Sequence, residues 1–440
     1  MFAYKLINRI LLGIGFFALL LAAWLAAVNT PSLSRKQSDL IARADAYTAE
    51  GIYVLAAPLL EEAAGYAGDN TLEAESRLKN VYLELIGQRG VRNKYTALLN
   101  KQMNRPDATP EVFMEAARFY IDTNKLSEAL KVLKNGVAKL NAQNLIDLYE
   151  AERYVFELSR IVYADATVFV NGKIQVCEDG LWGLANADGS LAIACKYDKI
   201  SNYSNARSIV VSGDEIYAVD INDNRMAVLR ESASDIGNYG NDRVGILTAD
   251  GWKRSTGDFT VGSLAFEQIG MYSGGYAAAK TGGKWGVVDT GSEWLLPAEY
   301  DEIISDEIGR VYAQEAVFAR KDDGVLLFTN GINTGNIYDD ARPFNENGWA
   351  AVKQNGKWGF IDTAGAFKIA PQFDDALSFG GHLAAVKQGE AWGYVAATGK
   401  IAIEPQFLAA RSFQNGNAPV QTERGWQIIS LLEYKQNASF

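Results

Sequence analysis

Histidine and cysteine are almost absent from this chain. His382 is the only histidine in 440 residues, so most histidine-based metal sites and acid–base mechanisms are excluded. The two cysteines, Cys177 and Cys195, lack the spacing of a redox pair. A disulfide between them and two free thiols both remain open. We therefore predict no catalytic residue, no cofactor and no metal site.

Runs of basic residues are also missing. The net charge is −11, and no run of Lys or Arg is longer than two. Nucleic acids and anionic lipid surfaces attract proteins through clustered positive charge, which this chain lacks. The sequence therefore predicts no nucleic-acid partner.

Long apolar runs are missing too, with one exception near the start. Lys5 and Arg9 precede Ile10–Val28, nineteen residues without a charge. A helix of this length spans a bilayer. The segment lacks the clear cleavage site of a secretory signal peptide, which is the alternative interpretation. We predict a membrane anchor over 1–28, a linker over 29–34, and a single-pass protein of the cell membrane. The preceding basic residues favour a body outside the cytoplasm.

A Trp-Gly pair recurs through the C-terminal two thirds of the chain. Together with weaker copies it gives eight anchor positions, 33 to 40 residues apart: Trp182, Tyr217, Trp252, Trp285, Val325, Trp358, Trp392 and Trp426. A regular period of this length indicates a repeat architecture. Each unit shows about three short strands with alternating apolar residues and Gly-containing turns. Aromatic anchors at a fixed phase are expected in the core rather than around a sugar site.

The best copies resemble the WG repeat family of bacterial proteins. The resemblance rests on Lys357–Gly365 (KWGFIDTAG) and Ile369–Ala376 (IAPQFDDA) and covers roughly 172–430. It implies an all-β, non-enzymatic domain, which we place at 166–440 with seven to eight units. A ring hides its strand edges, so a propeller is favoured over a linear β-solenoid. We expect Thr167–Val170 to complete the last blade by pairing with residues after Asn417.

Residues 35–165 have a different pattern, with apolar residues at helical spacing. Small and aromatic residues recur at equal offsets in Ala44–Ala63 and Ala117–Gly136, which is similar to the tetratricopeptide repeat. We expect a capping helix over Asn144–Val162. The resemblance implies a peptide-binding groove, although Ile41 and Asp45 stand where a carboxylate clamp would need Lys and Asn. A simple spacer is the alternative.

Two motifs suggest chemistry and are better explained as turns. Asp289-Thr-Gly and Asp362-Thr-Ala-Gly resemble aspartic-protease signatures, but both fall at one phase of the repeat, where a turn needs Asp and Gly. Asp220 to Glu231 mimics a calcium loop, but its flanks have strand character. A polar hairpin tip is therefore favoured there.

The sequence as a whole predicts an α+β multidomain protein with a transmembrane helix, a tetratricopeptide-like solenoid and an all-β repeat domain. The leading functional hypothesis is a non-enzymatic, membrane-anchored scaffold. Its partners would be proteins, bound in the helical groove or on the β-repeat surface, with a glycan as a further possibility, and the membrane through 10–28. The alternative is an extracytoplasmic ligand- or glycan-binding sensor, and a hydrolase comes third.

Overall fold

The computed structural model describes residues 33–434. The chain divides into two compact units, Met1–Tyr149 and Glu150–Phe440. Within the described residues there are seven α-helices, and the last contains the boundary between the units. They are α1 (Leu33–Ala49), α2 (Tyr53–Gly65), α3 (Thr71–Glu84), α4 (Val91–Met103), α5 (Pro110–Asp122), α6 (Leu126–Leu140) and α7 (Gln143–Glu152).

Small side chains let the helices of the first unit approach closely. Ala44, Ala56 and Ala63, three of the positions that carry the repeat pattern, are completely buried in one shared core. Pro110 begins α5 after Thr109, a position that suits proline because it lacks the N–H that the first turn would leave unbonded. The predicted capping helix is too long: α7 ends at Glu152, and the residues beyond it continue into a strand.

The described part of the second unit contains 32 strands in eight four-stranded antiparallel sheets, which are the blades of a propeller. Within each blade the strands pair in chain order, except in blade 8, where the first strand of the unit is outermost. The blades and their strands are as follows: blade 1, β2 (Asp165–Val170), β3 (Lys173–Glu178), β4 (Leu181–Ala185) and β5 (Leu191–Tyr197); blade 2, β6 (Lys199–Ile200), β7 (Ser208–Ser212), β8 (Glu215–Val219) and β9 (Arg225–Val228); blade 3, β10 (Ala233–Ile236), β11 (Arg243–Thr248), β12 (Gly251–Thr256) and β13 (Val261–Phe266); blade 4, β14 (Gln268–Ile269), β15 (Tyr276–Thr281), β16 (Lys284–Asp289) and β17 (Trp294–Tyr300); blade 5, β18 (Glu302–Ile303), β19 (Ala316–Lys321), β20 (Gly324–Thr329) and β21 (Ile332–Tyr338); blade 6, β22 (Asp340–Ala341), β23 (Trp349–Gln354), β24 (Lys357–Asp362) and β25 (Phe367–Phe373); blade 7, β26 (Asp375–Ala376), β27 (Leu383–Gln388), β28 (Ala391–Ala396) and β29 (Ile401–Phe407); blade 8, β30 (Ala409–Ala410), β31 (Asn417–Thr422), β32 (Gly425–Leu431) and β1 (Phe156–Leu158).

The ring closes through a strand that the sequence analysis placed in a helix. Phe156 pairs with Leu431 and Leu158 with Ile429, so β1 completes blade 8. The prediction that Thr167–Val170 would do this was wrong. That segment belongs to β2, which pairs with β3 through the two-residue turn Asn171–Gly172, because a tight local hairpin is easier to form than a distant pairing.

The eight anchor residues lie on the third strand of eight successive blades. The repeat count and the propeller are therefore confirmed, and the β-solenoid alternative was wrong. Each blade also has an inner strand that the three-strand interpretation did not include, although in blade 1 this strand contains Thr167–Val170, which was predicted as a strand and assigned to the last blade. In six blades it is only two residues long, such as Asp375–Ala376, too short to show an alternating pattern.

The glycine of the repeat allows the outer strand of the blade to pass close to the third strand. Opposite Gly359, β25 bulges: Trp358 pairs with Phe373, but Phe360 pairs with Ile369. A Cβ atom on Gly359 would lie 2.6 Å from the Ile369 carbonyl oxygen. Only glycine fits there, while Pro371 occupies the bulge of this edge strand, where no ladder hydrogen bond is needed.

The predicted fold class is corrected at its N-terminal end. No helix within residues 33–434 is long and apolar enough to cross a membrane, and the predicted span, 10–28, lies outside the described residues. The architecture that the structure supports is a seven-helix region followed by an eight-bladed propeller, without the predicted transmembrane helix.

Candidate binding sites

Loops from the inner strands line the propeller's central channel, and the loop of blade 5 has twelve residues, against six in blade 4 and seven in blade 6. In blade 7 the inner strand is joined to the next by 377–382, six residues, whereas in blade 5 the connection is 304–315, twelve residues. Blade 1, four blades away on the opposite side of the ring, has only Asn171–Gly172 at this place. The insertion therefore faces the one blade that leaves room for it.

Asp306 gives the insertion a fixed shape. Its carboxylate accepts hydrogen bonds from the backbone N–H groups of Ile308 (3.1 Å) and Arg310 (2.9 Å). The Arg310 side chain adds an ion pair to the same carboxylate at 2.6 Å. Gly309 adopts φ +89°, which closes the turn. These bonds make 306–310 a compact tip rather than a loose loop.

The tip crosses the channel and packs against other blades. Ile308 is buried in a cluster with Val168 and Val170 of blade 1 and Met271 of blade 4. Its carbonyl oxygen accepts a hydrogen bond from the side chain of Asn238 in blade 3, at 3.1 Å. The insertion is therefore held from several sides and divides the channel.

A cavity of about 480 Å³ lies on the side of the insertion that faces blades 5 to 8. Hydroxyl and amide side chains contribute to its wall, among them Ser378, Ser412 and Asn345. Arg342 is also at the wall, where it lies near Asp340 (3.6 Å) and Asp375 (3.4 Å). The wall is therefore a mixture of polar and apolar side chains, the latter including Phe344 and Phe413, and most of its charges are matched within the protein.

Glu307 is the exception among the charged groups of this cavity. The only side-chain contact it makes within the described residues is a long one, 3.5 Å from the Ser412 hydroxyl. Glu307 is half-buried, because it lines the cavity. Burial by the surrounding protein raises the pKa of its carboxyl, and the nearby Asp306 raises this pKa further. Arg411 and Arg310 act in the opposite direction without cancelling this effect.

A second candidate site is an open groove of about 510 Å³ in the helical unit. One stripe of α5, at helical spacing, faces it: Glu111, Met114, Glu115, Arg118 and Asp122. Its apolar part includes Phe119, whose ring lies 4.8 Å from that of Tyr95. Such a mixture of apolar and charged side chains suits an extended peptide.

Some of the carboxylates in this groove have basic partners and others do not. Glu115 is paired with Lys79 and accepts a hydrogen bond from the Tyr95 hydroxyl at 3.0 Å. Glu111 and Asp122 have no basic partner within the described residues, and Arg118 is the one cation that lines the groove. A hydrogen bond from Thr109 lowers the pKa of Glu111, so this carboxyl stays ionised. The groove therefore favours a ligand with positive charge.

The residues that suggested chemistry in the sequence lie apart and act as turn residues. The Asp289 carboxylate accepts backbone N–H groups at 2.7 and 2.9 Å in blade 4, and Asp362 does the same at 3.1 and 3.0 Å in blade 6. Asp220 caps the hairpin turn between β8 and β9 in the same way. The turn interpretation is confirmed for all three. Within residues 33–434 there is no group of three metal-ligating side chains.

The remaining singled-out residues are also structural. Cys177 and Cys195 are free thiols, the first buried and the second half-buried. His382 is exposed at the start of β27. Trp358 is 2% exposed and packs in the core between blades, and no repeat tryptophan lines the cavity. Ile41 is buried, and Asp45 is paired with Arg77 at 2.9 Å, so neither forms a carboxylate clamp.

Glu307 and the insertion that carries it were not predicted from the sequence. One signal was present. The step from Trp285 to Val325 is 40 residues, longer than every other step between anchors. Because the third strands hold the anchors in register, the extra residues had to form a longer connection within that unit.

A family model described as "WG containing repeat" matches residues 182–215, 263–285, 285–311, 337–358, 358–390 and 392–426. The helical region is not matched by it, and no curated protein matches the chain. Similar solved structures include the eukaryotic initiation factor, which is 12% identical, with 58% of this chain and 78% of that chain covered and a TM-score of 0.38. The Neurospora crassa Pan2 WD40 domain is 10% identical, with 63% and 91% covered and a TM-score of 0.36. Apo AztD from Citrobacter koseri is 9% identical, with 64% and 94% covered and a TM-score of 0.39. With scores this low, none of these likenesses supports a conclusion about this chain.

Proposed function

We propose that this chain, whose C-terminal propeller is built from WG-containing repeats, is a non-enzymatic interaction protein that binds an extended segment of a partner protein in its helical groove. The observation that carries this proposal is the open groove along α5, where Phe119 and Met114 lie beside the carboxylates Glu111 and Asp122. A repeat propeller is in general a surface for binding rather than for catalysis.

The groove's chemistry defines its occupant. An apolar side chain of the peptide would pack on Phe119, and a neighbouring Lys or Arg would pair with Glu111 or Asp122. Unpaired carboxylates at a groove select for basic partners and speed their association. We therefore propose a peptide in which a basic residue stands next to a large apolar one.

Selection of displayed random peptides on the full-length chain tests this proposal. We expect enrichment of peptides that contain a basic–apolar pair. Asp122→Lys should lower the affinity for these peptides by about tenfold, because it removes one partly exposed charge pair and adds repulsion. Asp107→Lys makes the same charge change on an exposed residue outside the groove lining and should leave binding unchanged. Failure to enrich such peptides, or equal binding by both variants, would refute the groove as the site.

A second candidate function is the binding of a small ligand inside the propeller, and the channel cavity with its unmatched carboxyl favours it. A body outside the cytoplasm and a glycan partner stay predictions. Protease accessibility of the propeller in intact cells tests the location: digestion without lysis supports it, and protection until lysis contradicts it.

A further inference from the structure

The charged groups around the channel cavity are matched by opposite charges, with one buried exception. Asp306 is paired with Arg310, and Arg342 lies near two aspartates. Glu346, also at the wall, is exposed and can be hydrated. Glu307 has no Lys, Arg or His within ion-pair distance anywhere in the part of the chain that the structure describes. The protein thus leaves one carboxyl in the cavity without an ion-pair partner.

A nearby cation, Arg411, lowers the pKa of Glu307 but forms no ion pair with it, and its Nε atom has no hydrogen-bond partner within the described residues. Arg411, next to Ser412, lies over the Trp426 ring, 4.9 Å from its centre. The buried Tyr394 hydroxyl donates to the Arg411 carbonyl oxygen at 3.0 Å. A carboxyl in such surroundings either takes up a proton or receives a cation from outside.

The cavity also supplies polar groups beside Glu307. The hydroxyls of Ser412 and Ser378 lie on the adjacent loops of blades 8 and 7, and Ser412 already contacts the carboxylate. The volume of about 480 Å³ falls within the range of small-molecule sites, roughly 300 to 1,000 Å³. A neutral or cationic molecule with several hydrogen-bonding groups would fit this wall.

We propose that the cavity binds a small organic molecule carrying an ammonium group, with Glu307 as its counter-charge and the serine hydroxyls as partners for its neighbouring polar groups. The inference rests on the second candidate function above. A metal ion fits less well, because one free carboxylate with hydroxyls falls short of the six to eight oxygen ligands, roughly, that Ca²⁺ takes. The insertion of blade 5 thereby has a role, since it carries the binding residue into the channel.

Paired probes that differ only in charge test the proposal on the full-length chain. Glucosamine and glucose differ at one position, ammonium against hydroxyl, and butylammonium and 1-butanol form a second pair. Titration calorimetry at neutral pH should show the ammonium member of at least one pair binding about 10- to 100-fold more tightly, as expected for a charged hydrogen bond. The isosteric variant Glu307→Gln should lose this preference. Glu315→Gln, an exposed glutamate of the same loop outside the cavity wall, should keep it.

The outcomes separate the charge assignment from the site itself. Equal, measurable binding of the two members of both pairs would leave the cavity a ligand site and overturn the role of Glu307. Absence of binding by every probe, or a preference for ammonium that Glu307→Gln retains, would overturn the proposal outright. Ca²⁺ binding that is lost in Glu307→Gln, without ammonium binding, would also overturn it. Near-ultraviolet circular dichroism of both variants confirms that they are folded.

Discussion

The glycine that follows four of the six repeat tryptophans offers a sharp test of how the blades are built. In blade 7, Trp392 pairs with Phe407 and Tyr394 with Ile403, so β29 bulges opposite Gly393. A Cβ atom at Gly393 would lie 2.4 Å from the Ile403 carbonyl oxygen and 2.7 Å from the Pro405 nitrogen. Both are backbone atoms, so no side chain can turn aside to relieve the contact.

Gly393→Ala should therefore destabilise the propeller through displaced backbone. Inserting one carbon into packed structure typically costs about 1 to 3 kcal/mol. The contacts with backbone place this change at the upper end, so we expect a loss of about 3 kcal/mol and a Tm lower by about 6 °C for a domain of this size. The bulge would have to widen, which also weakens the pairing of β28 with β29.

Tryptophan fluorescence during denaturation measures this loss of stability in the propeller specifically. Every tryptophan within the described residues lies in the propeller, so the signal does not come from the helical unit. Gly237→Ala is the matched control, since its new Cβ would meet nothing closer than 3.8 Å and its φ is not left-handed. Equal unfolding midpoints for Gly393→Ala and Gly237→Ala would refute the close-approach explanation of the repeat glycine.

Three further predictions concern buried polar groups. Because the pKa of Glu307 is raised in the folded protein, its stability penalty grows as pH rises from the ordinary carboxyl value, near 4.3, to the folded value. Glu307→Gln should therefore be more stable than the parent at neutral pH and equal to it below about pH 4, and parallel pH–stability curves would contradict this. The completely buried Glu75 pairs with Arg105, so Glu75→Ala should lower the unfolding free energy of the helical unit by about 3 kcal/mol, followed by circular dichroism at helical wavelengths; an unchanged midpoint would disprove it. Cys177 and Cys195 should both react with a thiol reagent in denaturant without prior reduction, and no reaction before reduction would show that they are paired.

The phase of the blades could be predicted from the sequence alone, and their number was predicted as seven to eight. The eight anchor positions need no knowledge of the ring, because each one lies near the start of the third strand of its blade. In blades 1, 4, 6 and 7 the anchor also directly precedes the bulge. Even Val325, which is not aromatic, was located by spacing, and it is buried on β20. Periodicity survives such substitutions, since the period is set by the length of a blade and not by the identity of one side chain.

The strand that closes the ring and the site in the channel could not be predicted from the sequence in the same way. Phe156–Leu158 is three residues long and follows a helix, so apolar periodicity continued the helix through it. Its partner strand lies at the other end of the unit, and one sequence contains no signal for that pairing. Glu307 is functionally interesting only because the ring brings it opposite blade 1 and beside blade 8, a proximity that spacing along the chain does not show.

Blade 8 has a consequence for the order of events during synthesis. Its outermost strand is made first and its partner, β32, is made last, 273 residues later when Leu158 and Leu431 are compared. At about 5 to 20 residues per second, Phe156–Leu158 waits roughly 14 to 55 s on the ribosome before it can pair. A long apolar strand exposed for that time would invite aggregation. A strand of only three residues with a glutamate at its centre is less prone to aggregate while it is unpaired.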